Sequence, residues 1–83
     1  FHLLILIDPS NAVEVAEANR LNERLVQRAL AMEGTSTGEH GVGIGKAKFM
    51  RAEHGAAVEV MRSVKLALDP LNLMNPGKIL PPA

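Results

Sequence analysis

Leu3-Leu4-Ile5-Leu6-Ile7-Asp8-Pro9-Ser10-Asn11 decides the fold class, because an unbroken apolar run meets turn residues and then a helix start. Residues 3–7 are rich in branched side chains and show no polar alternation, the pattern of a strand buried on both faces. Asp8-Pro9-Ser10 closes that run. Asn11 stands three residues before Glu14 with the spacing of a capping box, Asn replacing Ser or Thr. Val15, Ala18, Leu21, Leu25, Ala29 and Met32 follow at steps of three and four. The spacing predicts an amphipathic helix from residue 11 to residue 33, stopped at Gly34.

Further along, residues 46–53 suit a short helix, and Ala57, Met61, Val64 and Leu68 set out a second long one. Asp69-Pro70 ends it, since the residue before proline is steered away from the α region. The tail, with Pro76, Gly77, Pro81 and Pro82, reads as an extended or turn-rich arm. A lone apolar strand exposes an edge that proteins cover, so the rest of its sheet is expected outside this chain or in another copy. The fold class is therefore α+β, one half of a sandwich in which helices cover one face of a sheet. No internal repeat is visible. Phe1-His2 opens directly against the apolar run, without an initiator Met or a cap, and the expectation is a C-terminal fragment of a larger domain. Its 83 residues allow only a modest core, and its uncovered strand and helices should favour self-association.

Composition narrows the function. Nine basic and nine acidic residues cancel, leaving no electrostatic footprint for nucleic acid and no basic face for an anionic membrane. Phe1 and Phe49 are the only Phe, Tyr or Trp residues, too few for a base-stacking platform. The absence of cysteine removes disulfides and thiolate metal sites, leaving His2, His40, His54 and the carboxylates as possible ligands. The longest apolar run is too short to span a bilayer, and a soluble segment is expected.

Chemistry concentrates in Gly38-Glu39-His40-Gly41-Val42-Gly43-Ile44-Gly45-Lys46, where an ionisable pair sits among four glycines. Such a backbone takes unusual paths or admits a ligand closely. It is not a Walker loop, since His40 occupies the position of the first glycine and Ala47 that of the Ser or Thr. Nor does the spacing of Gly41, Gly43 and Gly45 match the dinucleotide fingerprint, which also requires a preceding strand. A Glu-His pair in a polar loop is often simply solvated. Even so, Glu39 and His2 carry the carboxylate oxygen and imidazole nitrogen that suit Zn, Mn or Fe(II), although His2 would serve equally as a strand-end histidine. Histidine exchanges protons readily near neutral pH, which makes His40 a candidate general base, or else a loop histidine bonded to a carbonyl. His54 reads as a capping or surface residue, Lys46 and Lys48 as an anion lure or a solvated helix start, and the methionines as core filler. Asn75-Pro76-Gly77-Lys78 is either an exposed turn or the edge of a cofactor site.

Residues 34–46, Gly-Thr-Ser-Thr-Gly-Glu-His-Gly-Val-Gly-Ile-Gly-Lys, and residues 61–80, Met-Arg-Ser-Val-Lys-Leu-Ala-Leu-Asp-Pro-Leu-Asn-Leu-Met-Asn-Pro-Gly-Lys-Ile-Leu, together resemble the C-terminal end of the FAD-linked 2-hydroxy-acid dehydrogenases. The likeness is strongest to the cytochrome-linked D-lactate branch, with glycolate oxidase flavoprotein subunits next. Phe1-His2 is similar to the end of the family's Gly-Asp-Gly-Asn-Phe-His segment. The resemblance implies a ferredoxin-like cap over a separate FAD-binding domain, which this chain lacks. It implies that His2 and Glu39 hold a divalent metal that binds the substrate, that His40 removes the hydroxyl proton, and that the α-hydrogen passes as hydride to FAD. Asn75 would lie near the flavin. The implied substrate is a D-2-hydroxy acid, D-lactate first, with glycolate or D-2-hydroxyglutarate as alternatives, and the implied electron acceptor is a cytochrome or quinone. The implied location is cytoplasmic or membrane-peripheral, mitochondrial in a eukaryote. Two departures stand out: the family's further metal histidine, upstream of that segment, is absent, and Leu4 stands where some relatives have Asn. The fragment alone is expected to be inactive.

Overall fold

The computed structural model describes residues 3–83, so the strand-end position assigned to His2 lies outside the described residues. Its elements are α1 (Ala12–Ala31), a 3₁₀ turn (Ala47–Phe49), α2 (Met50–His54) and α3 (Ala57–Leu68). The expected strand is corrected here: residues 3–7 carry no strand assignment, and no strand occurs among the described residues. The physical reason is pairing. A strand exists through the ladder it makes, and no described segment offers Leu3 to Ile7 a partner. Their side chains remain exposed, Leu6 at 94%. Among the described residues the fold is helical, three helices joined by a glycine loop and followed by an arm, and the expected α+β ferredoxin-like cap with its strand is not seen in them.

The helices fall where the sequence puts them. Asn11 caps α1, its Oδ1 accepting from the Val13 and Glu14 amides at 3.1 and 3.2 Å. The reciprocal half of the box does not form, because Glu14 Oε2 accepts from the Asp8 amide at 2.8 Å instead. Asp8 in turn accepts from the amide and hydroxyl of Ser10, making an Asx turn; the Ser10 hydroxyl first, then its amide, holds the Asp8 carboxyl below its usual range.

At the other end of α1 the division of labour differs from the expected glycine stop. Glu33, not Gly34, takes the left-handed conformation, at φ 62°. The Gly34 amide reaches the Ala29 carbonyl at 2.7 Å and the Glu33 amide reaches that of Leu30 at 3.1 Å, the bond pair of a Schellman motif. Gly34 is required for that approach, since a Cβ there would meet the Ala29 oxygen at 2.8 Å. At the end of α3, Asp69 has φ −139° and ψ 66°, outside the α region that Pro70 disfavours for the residue before it.

Val26 of α1, Phe49 of the 3₁₀ turn, Met50 of α2 and Val58 of α3 form the buried apolar set, with Val58 fully enclosed. Of the methionines read as core filler, Met50 is buried and Met61 half-buried, whereas Met32 and Met74 are exposed. The face of α3 turned inward carries Val58, Met61, Arg62 and Lys65, while Val64 and Leu68 of the expected apolar face are exposed. The molecule is open. Its radius of gyration is 15.0 Å, against about 12 Å for a compact domain of this length. Its accessible surface is 6494 Å², against about 4,800 Å² for a folded monomer of its mass.

Candidate functional site

The glycine loop leaves α1 through Thr35 and Ser36, and both are held by Glu53 of α2. Glu53 Oε2 accepts from the Thr35 hydroxyl at 2.6 Å. Its Oε1 accepts from the Ser36 amide at 2.7 Å and the Ser36 hydroxyl at 2.8 Å. These bonds hold the Glu53 carboxyl at about 2, the Thr35 hydroxyl contributing most, then the Ser36 amide; burial opposes them, and the Ser36 hydroxyl and His54 add to them.

Beyond Ser36 the loop turns outward. The Glu39 and His40 side chains are 72% and 77% exposed, with Glu39 Oε1 3.5 Å from His40 Nε2. Gly41 and Gly43 then take φ of 77° and 53°, which explains two of the four loop glycines by conformation. At Gly38 and Gly45 an added Cβ would meet nothing within 4 Å, so their own fold does not require them to be glycine.

The loop is closed by the C-terminal arm. The Ile79 amide donates to the Gly43 carbonyl at 2.7 Å, joining the two stretches that carry the family resemblance. Ile79 has φ 67°, a strained conformation for a β-branched residue. Asn75 sits earlier in the same arm, exposed and at φ 45°, in the turn expected of Asn75-Pro76-Gly77. A second anchor fixes that arm. Asp69, buried at the end of α3, pairs with Lys65 and accepts from the Leu73 and Met74 amides at 2.9 Å each. The Lys65 ammonium first, then those two amides, keep the Asp69 carboxyl at about 2. Lys65 Nζ also donates to the Met74 carbonyl at 2.6 Å.

The structure therefore places Glu39 and His40 together and ties their loop to the arm bearing Asn75, while His2 lies outside the described residues. Among the described residues no group of three or more His, Asp or Glu side chains is arranged to hold a metal. Lys48 is ion-paired to Glu23 of α1 at 2.7 Å, and its Nζ lies 5.2 Å from the Phe49 ring centre, which favours the structural reading of that lysine. His54 ends α2 with Nε2 3.4 Å from Glu53 Oε2. An open groove of about 620 Å³ runs between α3 and the arm, lined among others by Arg62, Lys65, Asp69 and Lys78; neither Glu39 nor His40 reaches it. Sequence reasoning missed Glu53, Asp69 and the Gly43–Ile79 bond. The one available signal was the Ser and Thr residues just before the loop, which seek a partner for their hydroxyls.

No helix among the described residues is long and apolar enough to cross a membrane. Known proteins place the chain. It is 56% identical over 81 residues to a probable mitochondrial D-lactate dehydrogenase of Danio rerio, covering 96% of this chain and 16% of that protein. It is 51% identical over 83 residues to the mitochondrial D-lactate dehydrogenase [cytochrome] of Arabidopsis thaliana, covering 99% of this chain and 15% of that one. With glycolate oxidase subunit GlcD of Escherichia coli (strain K12) the identity is 36% over 81 residues, covering 96% of this chain and 16% of the subunit. The chain thus spans about a sixth of the length of these curated relatives. The family model described as FAD linked oxidases, C-terminal domain, matches residues 1–79, and this chain belongs to that family.

Proposed function

We propose that this chain supplies the acid–base loop of a flavoprotein that oxidises a D-2-hydroxy acid, D-lactate foremost, to the 2-oxo acid. The observation that carries the proposal is the exposed Glu39–His40 pair on a loop tied to the C-terminal arm. Family membership and the names of the D-lactate dehydrogenase relatives support it. His40 accepts the substrate hydroxyl proton at Nε2, the ring atom facing Glu39, while the α-hydrogen leaves with its electron pair and the C–O bond becomes a carbonyl.

The donor set fits a divalent metal in type. Glu39 contributes a carboxylate oxygen and His2 an imidazole nitrogen, a mixture that suits Zn, Mn or Fe(II), and further ligands would come from residues beyond the described ones. When bound, the metal and FAD would supply Lewis-acid polarisation of the hydroxyl and acceptance of the hydride. Asn75 would border the flavin, its turn held by the arm. The electron acceptor would be a cytochrome or quinone, and in a eukaryote the protein would be mitochondrial, as the names of the relatives suggest.

In the full-length flavoprotein, His40→Ala should abolish reduction of the flavin by D-lactate while FAD stays bound. Normal bleaching of the flavin in that variant would refute the base assignment. Glu39→Ala should lower the metal content by elemental analysis, and an unchanged stoichiometry would remove Glu39 from the ligand set.

A second reading concerns the chain by itself: a non-catalytic piece that self-associates. Exposed apolar side chains such as Leu4, Leu6, Leu68 and Leu71 favour it. Light scattering decides it, since a monomer at high concentration contradicts self-association.

A further inference from the structure

The carboxylate of Glu53 is committed to the loop that carries Glu39 and His40. Both of its oxygens accept from residues 17 and 18 positions earlier, at the exit of α1. The Glu53 side chain is only 13% exposed, and Ser36 is buried. A buried amide such as that of Ser36 needs a partner, and an ionised carboxylate offers the stronger kind of acceptor, with two oxygens in a fixed plane. Within the loop the Gly41 amide closes a turn on the Gly38 carbonyl at 3.1 Å, and the tie to the arm, from Ile79 to Gly43, lies on the far side of the pair; Glu53 is the long-range hold on the α1 side.

We propose that Glu53 is a positioning residue for the proton-transfer loop, holding Thr35 and Ser36 so that the Glu39 carboxylate and the His40 ring are presented in one place. The proposal rests on the reading of His40 as the base. Glu53 touches neither substrate nor flavin in this scheme and acts through Thr35 and Ser36. A group that fixes catalytic side chains from a distance affects the rate of the chemical step more than the occupancy of the cofactor.

The test uses the full-length flavoprotein, with anaerobic reduction of the bound FAD by D-lactate followed per flavin-loaded enzyme. Glu53→Gln should slow reduction about tenfold to a hundredfold, the loss expected when reacting groups are displaced by about 1 Å and not removed. Its FAD occupancy should be unchanged, and hydrogen exchange of the peptide spanning residues 34–46 should quicken. Thr35→Val should cause a smaller loss of the same sign. Combined with Glu53→Gln it should add less than its separate effect, because the two side chains share one bond. Wild-type reduction in Glu53→Gln, while His40→Ala abolishes it, would overturn the positioning role and leave the base assignment standing. Normal reduction in His40→Ala would overturn the base assignment and the positioning role with it. A loss confined to FAD occupancy, with an unchanged rate per loaded enzyme, would assign Glu53 a purely structural part and overturn the proposal. Should Glu53 variants fail to fold, the exposed Thr35→Val change decides: wild-type reduction and unchanged exchange at residues 34–46 would overturn it.

Discussion

Acidifying the protein removes the charge from Glu53 without changing an atom of the chain, and the bonds to Thr35 and Ser36 fix how much that matters. The carboxyl sits at about 2 where an ordinary glutamate sits at 4.5. A depressed carboxylate contributes stability that is fully present above the unfolded value and is lost as pH falls through the folded one. The window is therefore about 4.5 down to about 2. At about 1.4 kcal/mol per pH unit, the difference sets a ceiling of about 3 kcal/mol. Water at the edge of the carboxylate screens part of this, leaving about 1–2 kcal/mol at neutral pH. That corresponds to a roughly tenfold change in local opening of the Ser36 amide. Hydrogen exchange of the peptide spanning residues 34–46, measured from pH 6 downward in wild type and in Glu53→Gln, isolates the term, because the intrinsic pH dependence of exchange is common to both. The two should differ by about tenfold near neutral pH and converge as the acid approaches about 2. Identical profiles, or a gap that persists unchanged to the acid limit, would refute the argument that the ionised carboxylate holds the loop.

Three further outcomes are expected. Gly34→Ala should destabilise the end of α1 by about 1 kcal/mol or more, since its Cβ would lie 2.8 Å from the Ala29 oxygen, whereas Glu33→Gly should stabilise it by about 0.5–1 kcal/mol by relieving the φ of 62°; thermal melts of the two variants should move in opposite directions. Ile79→Pro should release the arm from Gly43, because proline lacks the donor and cannot take φ 67°, while Ile79→Gly keeps the bond; limited proteolysis of the arm should separate them. Gly38→Ala should leave the melt unchanged, as nothing lies within 4 Å of its added Cβ, yet slow flavin reduction in the full-length protein if substrate passes over that backbone; an unchanged rate would place the substrate elsewhere.

The helices were legible because their signals are local. Asn11, the three- and four-residue apolar steps, and Asp69-Pro70 act through the backbone around them, and α1 and α3 end within two residues of the expected limits. The strand was not, because an apolar run states only that residues 3–7 avoid water and leaves their partner unnamed. The same ambiguity misassigned the inner face of α3: Val64 and Leu68 follow the apolar period, yet Val58 is the side chain fully enclosed here, with Arg62 and Lys65 on the inward side. In the candidate site, Glu39 and His40 were legible as sequence neighbours. Glu53 was not, since a single glutamate on a short helix normally faces solvent. The Gly43–Ile79 bond was hidden for a stronger reason, because it requires an isoleucine where propensity argues against one.

The two anchors of the glycine loop differ in kind, and that difference bears on how the loop works. On the α1 side the hold is electrostatic and weakens with protonation of Glu53; on the arm side it is a backbone bond whose donor is held in a strained conformation. Neither involves Glu39 or His40 themselves. A loop whose path is set from both flanks can present its acidic and basic side chains outward, and both are exposed here. The space over Gly38, Gly41, Gly43 and Gly45 is open, so the backbone beside the pair is uncovered. Gly41 and Gly43 supply the positive φ the path needs, the Gly41 amide closes a turn on the Gly38 carbonyl across the pair, and Glu53 and Ile79 hold the two flanks from far away in sequence.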